Sequence, residues 1–224
     1  MDKAQQDALK KAAGIEAAKL IQNGMIAGLG TGSTVRFLVD ELGRRVKEEG
    51  LEFTGVTTSR RTQEQAEGYG IKIVDIDDVD HIDVTIDGAD EVDKNFNGIK
   101  GGGAALLWEK IVATNSNKIV WIVDESKVVD TIGKFPLPVE VIPMAREHVA
   151  RQLARLGGTP VLREGFVTDN GNVILDVKGL SITDPKGLEA QINQITGVVT
   201  NGLFALRPAN LLLLGTPDGV RQIG

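Results

Sequence analysis

The chain has 224 residues, of which 42% are hydrophobic and 25% charged, a composition that excludes wholesale disorder and allows one large domain or two smaller ones. It carries 25 Lys+Arg against 31 Asp+Glu, a net charge of −6, which argues against a nucleic-acid-binding surface. Cys is absent, so disulfides, thiolate metal sites and a Cys nucleophile are excluded.

The opening residues, MDKAQQDALKKAA, are charged and lack the apolar core of a signal peptide. The longest stretch without a charged residue, Leu20 to Val35, is broken by glycines and polar groups, so no transmembrane helix is expected. The expected location is the cytoplasm.

Residues 3–23 read as a helix, with Asp2 as N-cap and Gln5 completing a capping box. Residues 25–30 form a short apolar strand that runs into glycines. A helix follows over 33–46, with Val35, Leu38, Val39 and Leu42 on one face. Strands are expected at 53–57, 71–74, 82–86 and 118–123, and helices at 60–69 and 104–114. This alternation predicts a mostly parallel α/β sheet, whose ligand site lies at the carboxyl ends of its strands.

The pattern changes after Phe135. Residues 136–143 are extended and punctuated by proline, and a helix over 145–156 stops at Gly157-Gly158. A strand from Val161, a turn at Asp169-Asn170-Gly171-Asn172 and a strand VILDV follow. Asp184-Pro185 opens another helix, and strands are expected at 198–201 and 211–214. The expected organisation is a larger domain over 1–130 plus 206–224 and a smaller α+β domain over 131–205.

Three segments can carry chemistry. Gly28-Leu29-Gly30-Thr31-Gly32-Ser33-Thr34 joins a strand to a helix. Its glycines allow close backbone approach, and the helix start offers free N–H groups, so it is either a phosphate site or a plain tight turn. It matches neither the P-loop nor the dinucleotide fingerprint.

Asp87-Gly88-Ala89-Asp90-Glu91 delivers three carboxylates in five residues at the end of a strand. Crowded carboxylates need compensation, from a cation or from the hydroxyls of a ligand; otherwise the run is a solvated acidic turn. Lys100-Gly101-Gly102-Gly103 precedes the helix that bears Glu109. A loop hugging a ligand justifies three glycines, and Glu109 is then either a general base or a surface partner of a lysine. Residues Thr57–Thr62 and Asp124–Lys127 follow strands and can line the same cleft, with Lys127 supplying positive charge. His81 and His148 are not at metal-ligand spacing and read as structural or solvent-facing, and Trp108 and Trp121 as core.

GLGTGST, DGADE, KGGGAAL, GKFPLPVEVIPMA, VVTNGLFA and GTPDGV occur here in one order across nearly the whole chain. In that conjunction the chain resembles the ribose-5-phosphate isomerases of the A type. The resemblance implies a Rossmann-like domain with a smaller ferredoxin-like α+β domain. It also implies interconversion of ribose 5-phosphate and ribulose 5-phosphate, no metal or organic cofactor, and a homodimer or homotetramer.

By position, the family's general base falls on Glu109. Its ligand-binding loops fall on Thr31, Gly32, Ser33 and Thr34, on Asp87, Gly88, Ala89 and Asp90, and on Lys100, Gly101, Gly102 and Gly103, with Lys127 as a further contact. For that reaction the chemistry of the residues suits Lys100 to stabilising the enediolate oxygen, Asp87 to proton exchange with the sugar oxygens and ring opening, and Asp90 to orienting hydroxyls. Leu107-Trp108 and Arg60-Arg61 depart from the family pattern. The alternative is a sugar-phosphate-sensing binding domain without turnover.

Overall fold

A computed structural model describes residues 2–224. In chain order the elements are α1 (Lys3–Ala18), β1 (Ile26–Leu29), α2 (Ser33–Glu49), β2 (Thr54–Thr57), α3 (Arg60–Gly68), β3 (Lys72–Ile73), β4 (Ile82–Asp87), β5 (Glu91–Val92), β6 (Gly98–Ile99), α4 (Leu106–Thr114), β7 (Ser116–Asp124), β8 (Leu137–Val141), α5 (Arg146–Arg155), β9 (Thr159–Leu162), β10 (Val173–Lys178), α6 (Pro185–Asn193), β11 (Val198–Asn201), β12 (Leu203–Phe204), β13 (Leu211–Thr216) and β14 (Gly219–Ile223). No helix among the described residues is long and apolar enough to cross a membrane.

The chain divides into two compact units. The first comprises the chain up to Gly88, Trp108–Lys127 and Ala209–Gly224; the second comprises Ala89–Leu107 and Val128–Pro208. The sequence had suggested 1–130 plus 206–224 and 131–205. The difference lies mainly in residues 89–107, whose short strands β5 and β6 pair with each other and, through β6, with β12 of the second unit.

The first unit is built on a seven-stranded sheet in the order β14-β13-β7-β4-β1-β2-β3, parallel except for the β13–β14 pair. This is the doubly wound arrangement expected from the alternation. The last long strand does return to this sheet, beside β7, and β14 adds an antiparallel edge that the sequence pattern did not signal.

Pleating sends successive β1 residues to opposite faces. Ala27 and Leu29 pack with Ala13 and Ala17 of α1 and with Val35, Leu38, Val39 and Leu42 of α2. Gly28 faces Val112 of α4, and a Cβ there would lie 2.8 Å from that valine. The capping box of α1 forms as expected: Gln5 N–H donates to Asp2 Oδ1 at 2.8 Å, and Asp2 N–H to Gln5 Oε1 at 3.0 Å. The helix stops at Ala18, earlier than expected, and residues 19–21 close with tighter bonds such as Leu20 N–H to Ala17 O at 3.0 Å.

In the second unit, β8-α5-β9-β10-α6-β11 gives a four-stranded antiparallel sheet in the order β11-β8-β10-β9. That is the split β-α-β topology of ferredoxin-like folds. Its core joins Leu137, Val139 and Val141 to Val149 and Leu153 of α5 and Ile192 of α6. Asp184 caps α6 through Gly187 N–H at 3.0 Å, with Pro185 in the first turn.

The Asp169–Asn172 turn lies within a ten-residue connection rather than closing a tight hairpin. It is pinned by fully buried Glu140 of β8, whose Oε1 accepts from Thr168 Oγ1 at 2.8 Å and Asn172 Nδ2 at 2.9 Å.

Candidate active site

The glycine turn after β1 lies at a topological switch point, because β1 pairs with β2 on one side and β4 on the other. Open α/β sheets bind ligands at such points, beyond the strand ends. Asp87 ends β4 and is 2% exposed. Its Oδ1 accepts Thr31 N–H at 3.0 Å and Gly88 N–H at 2.7 Å. The turn and the carboxylate are therefore one construction.

Gly30 is required there by space. A Cβ at this residue would sit 2.1 Å from Asp87 Oδ1. Gly32 is required by conformation: as N-cap of α2 it has φ 119° and ψ −179°, a region essentially restricted to glycine. Beyond it, Ser33 is exposed and Thr34 is buried, and the first N–H groups of α2 lack helical acceptors.

A chain of hydroxyls supports the turn from behind. The Thr31 and Thr58 hydroxyls lie 2.7 Å apart, and Thr31 Oγ1 donates to Ser59 Oγ at 2.9 Å. Ser59 Oγ donates to Thr62 Oγ1 at 3.0 Å, which in turn donates to Gly30 O at 2.8 Å. The sequence flagged residues 57–62 as cleft-lining; Thr57 lines the cleft beside Trp108, and the hydroxyls of Thr58, Ser59 and Thr62 lock the glycine turn from the neighbouring strand end. Arg60 and Arg61 are exposed at the start of α3.

Glu109 lies in the first turn of α4 and is 5% exposed. With Leu106, Val112 and Ala113 it occupies the buried positions of the helix, which removes the solvated-surface alternative. Trp108 is half-buried and lines a cleft of about 290 Å³ with Val56, Ile73 and Asp75, whereas Trp121 is fully core. At the end of β7, Asp124 accepts from Ser126 N–H at 3.0 Å and from Gln6 Nε2 at 3.3 Å. These bonds fix the short helical turn Glu125–Lys127, on which Lys127 is half-buried. His81 and His148 are both exposed.

The second unit holds the other predicted residues. Strands β5 and β6 pair antiparallel with Glu91 opposite Ile99, so the register carried one residue further sets Asp90 opposite Lys100. Asp90 N–H donates to Ile99 O at 2.8 Å, and Lys100 N–H to Gly202 O at 2.9 Å. Lys100 is 3% exposed, and its Nζ lies 5.5 Å from the centroid of the Phe204 ring, a cation–π arrangement.

Asp90 Oδ2 accepts Gly102 N–H at 2.8 Å. Gly101 has φ 103° and Ala104 φ 63°, and Ala104 N–H closes the turn on Gly101 O at 2.9 Å. A left-handed alanine costs roughly 1 kcal/mol; burial of its methyl beside Leu106 and Ile174 offsets this. The same left-handed residue makes α4 begin at Leu106 rather than at 104.

The carboxylate crowding foreseen in the sequence is relieved mainly by backbone donors. Asp87 and Asp90 take the N–H groups already named, and Glu91, 5% exposed, accepts Gly133 N–H at 2.7 Å and Phe135 N–H at 2.8 Å. Among the described residues, no three His, Asp or Glu side chains gather as a metal-holding group.

A family model described as Ribose 5-phosphate isomerase A (phosphoriboisomerase A) matches residues 54–219. The chain is 74% identical over 226 aligned residues to ribose-5-phosphate isomerase A of Bifidobacterium adolescentis, covering 99% of this chain and 97% of that protein. To ribose-5-phosphate isomerase A of Limosilactobacillus reuteri it is 54% identical, covering 97% and 98%. The solved ribose 5-phosphate isomerase A of Neisseria gonorrhoeae superposes with a TM-score of 0.94 at 46% identity, covering 97% of this chain and 96% of that one. A D-ribose-5-phosphate isomerase solved in complex with phospho-erythronic acid superposes with a TM-score of 0.95 at 41% identity, covering 100% and 99%.

Proposed function

Because the chain belongs to the ribose 5-phosphate isomerase A family, we propose that it interconverts D-ribose 5-phosphate and D-ribulose 5-phosphate through an enediolate, with no metal or organic cofactor. The observation that carries this reading is the burial of Glu109, 5% exposed in the first turn of the helix that follows the triple-glycine loop.

Aldose–ketose isomerisation moves a proton between C2 and C1. The C–H bond is weakly acidic, so the reaction needs a placed base and stabilisation of the oxygen that becomes negative. Glu109 takes the proton from C2 and returns it to C1. Lys100 stabilises the enediolate oxygen. Asp87 exchanges protons with the sugar oxygens and assists ring opening, and Asp90 orients hydroxyls. Thr31, Gly32, Ser33 and Thr34 hold the phosphate on the N–H groups at the start of α2, with Lys127 adding charge. Gly88, Ala89, Gly101, Gly102 and Gly103 complete the backbone around the sugar.

Phosphate binding far from the reacting carbons then holds them over the base. Phospho-erythronic acid, present in a solved relative, carries a carboxylate and a phosphate on one polyhydroxyl chain, as an enediolate of the sugar phosphate would carry its own two anionic ends.

The working form is a homodimer or homotetramer in the cytoplasm, with no nucleic-acid or membrane partner. Exposed Met144, Val167 and Leu206 on the second unit offer apolar surface for self-association. Sedimentation of the purified protein reads the assembly; a monomer at working concentration would refute it.

The test of the reaction is formation of ribulose 5-phosphate from ribose 5-phosphate in the presence of EDTA, with Glu109→Gln alongside. Turnover in the wild type and a loss of about 10²–10⁴-fold in kcat in the variant are expected. Near-wild-type kcat in Glu109→Gln would remove the base assignment. Binding without turnover would make the chain a sugar-phosphate sensor, and activity only with Mg²⁺ would reassign the acidic run to a metal.

A further inference from the structure

Arg163, just after β9, belongs to none of the motifs above. Its Nε donates to Asp176 Oδ2 at 2.8 Å and its Nη2 to Asp176 Oδ1 at 2.6 Å, a two-point ion pair to β10. The pair is largely shielded, at 20% and 22% side-chain exposure. A guanidinium is planar, so fixing two of its nitrogens fixes the direction of the third. That third nitrogen, Nη1, donates to Gly101 O at 3.0 Å and Gly102 O at 3.3 Å.

The carbonyl and N–H of one trans peptide point to opposite sides. The Gly101–Gly102 peptide is therefore held at both ends, its carbonyl on Arg163 and its N–H on Asp90 Oδ2 at 2.8 Å. Drawing the Gly102 carbonyl toward the same guanidinium turns the Gly103 N–H to the opposite side. Three consecutive glycines have no side chains to hold such an orientation, and glycine loses more freedom on ordering than any other residue. An external clamp is what this loop requires.

We propose that Arg163, aimed by Asp176, is a positioning residue for the reaction: it clamps the carbonyls of Gly101 and Gly102 and so presents the Gly103 N–H to the substrate. The proposal rests on the reading of Lys100–Gly103 as a substrate-binding loop. Lysine cannot replace it, because a single ammonium cannot span Asp176 and two glycine carbonyls in a fixed plane.

The experiment compares Arg163→Ala, Arg163→Lys, Asp176→Ala and the Arg163→Ala/Asp176→Ala double variant by steady-state kinetics and by hydrogen exchange over residues 101–104. In Arg163→Ala, kcat/KM falls on the order of 10²-fold and exchange over 101–104 accelerates, while β10 keeps its protection. Low, non-denaturing guanidinium restores part of the activity, and sodium chloride at equal ionic strength does not. Arg163→Lys stays impaired, and Asp176→Ala adds little once Arg163 is gone, since the two act as a unit.

Wild-type kcat/KM in Arg163→Ala, or full recovery in Arg163→Lys, would overturn the proposal. If the alanine variant does not fold, the lysine variant, which keeps a cation against Asp176, carries the same comparison. A wild-type protein that does not isomerise the sugar would sink the isomerase reading, while faster exchange over 101–104 in the variant would still uphold the clamp. Unchanged exchange and kinetics in a variant of an active wild type would sink the clamp alone.

Discussion

Replacing Gly30 by alanine tests the joint between the glycine turn and Asp87. The new Cβ would lie 2.1 Å from Asp87 Oδ1, 2.2 Å from Cγ and 2.6 Å from Cβ. Rotating the Asp87 side chain swings the carboxylate away but leaves its Cβ in place. Carbon atoms pack at about 3.5–4.0 Å, so the ends of β1 and β4 must part by about 1 Å. That movement strains the two N–H bonds that Oδ1 accepts from Thr31 and Gly88. Overpacking costs about 1–3 kcal/mol and each bond to a charged acceptor is worth about 1.5–3 kcal/mol, so a loss of about 3–5 kcal/mol is expected. Urea unfolding measures it. In the fraction that folds, kcat/KM should fall by about 10²-fold or more, because Asp87 is displaced by about 1 Å. A Gly30→Ala protein with wild-type stability and kcat/KM within about twofold of wild type would refute the claim that space dictates this glycine.

Gly32→Ala is the contrast, since no atom lies within 4 Å of its added Cβ and only φ 119° opposes it; unfolding should show about 1–3 kcal/mol of strain, with KM raised more than kcat is lowered. Glu91→Gln places an amide NH₂ against the Gly133 or Phe135 N–H and should cost about 1.5–3 kcal/mol in urea unfolding; a change under about 0.5 kcal/mol would show those bonds to be dispensable. Thr62→Val keeps the shape but removes the link between Ser59 and Gly30, for an expected loss of about 1–2 kcal/mol and a raised KM; unchanged kinetics would uncouple the hydroxyl chain from the turn.

Tyr69 is the chain's single tyrosine, and its hydroxyl donates to Asp40 Oδ1 at 2.9 Å. That bond, then burial, pushes its ionisation above the ordinary phenol value. A group raised on folding stabilises the fold fully below its unfolded pKa of about 10 and loses that contribution as pH rises through the folded value. Phenolate absorbance should therefore appear later in the wild type than in Asp40→Asn, and coincident titrations would dismiss the Asp40 bond as the cause.

The sequence by itself determined the local elements and most of the candidate site residues. The capping box at Asp2 and Gln5, the cap at Asp184-Pro185 and the β-α alternation are signals within a few residues, so short-range chemistry sufficed to read them. Thr31–Thr34 and Lys100–Gly103 were legible because glycines before a helix are costly unless the backbone has a use for them.

Tertiary structure decided the rest. Strands β5, β6 and β12 are two residues each, too short for any periodicity, yet their pairing sets Asp90 opposite Lys100 and draws 89–107 into the second unit. Glu91, one of three similar carboxylates in the sequence, became a buried acceptor for the 133–135 backbone. Arg163 carries no local mark at all, because its meaning lies in carbonyls 61 and 62 residues away. Backbone groups such as these have no side-chain identity, so their demand for partners cannot be read from residue types; it exists only once the chain has folded back on itself.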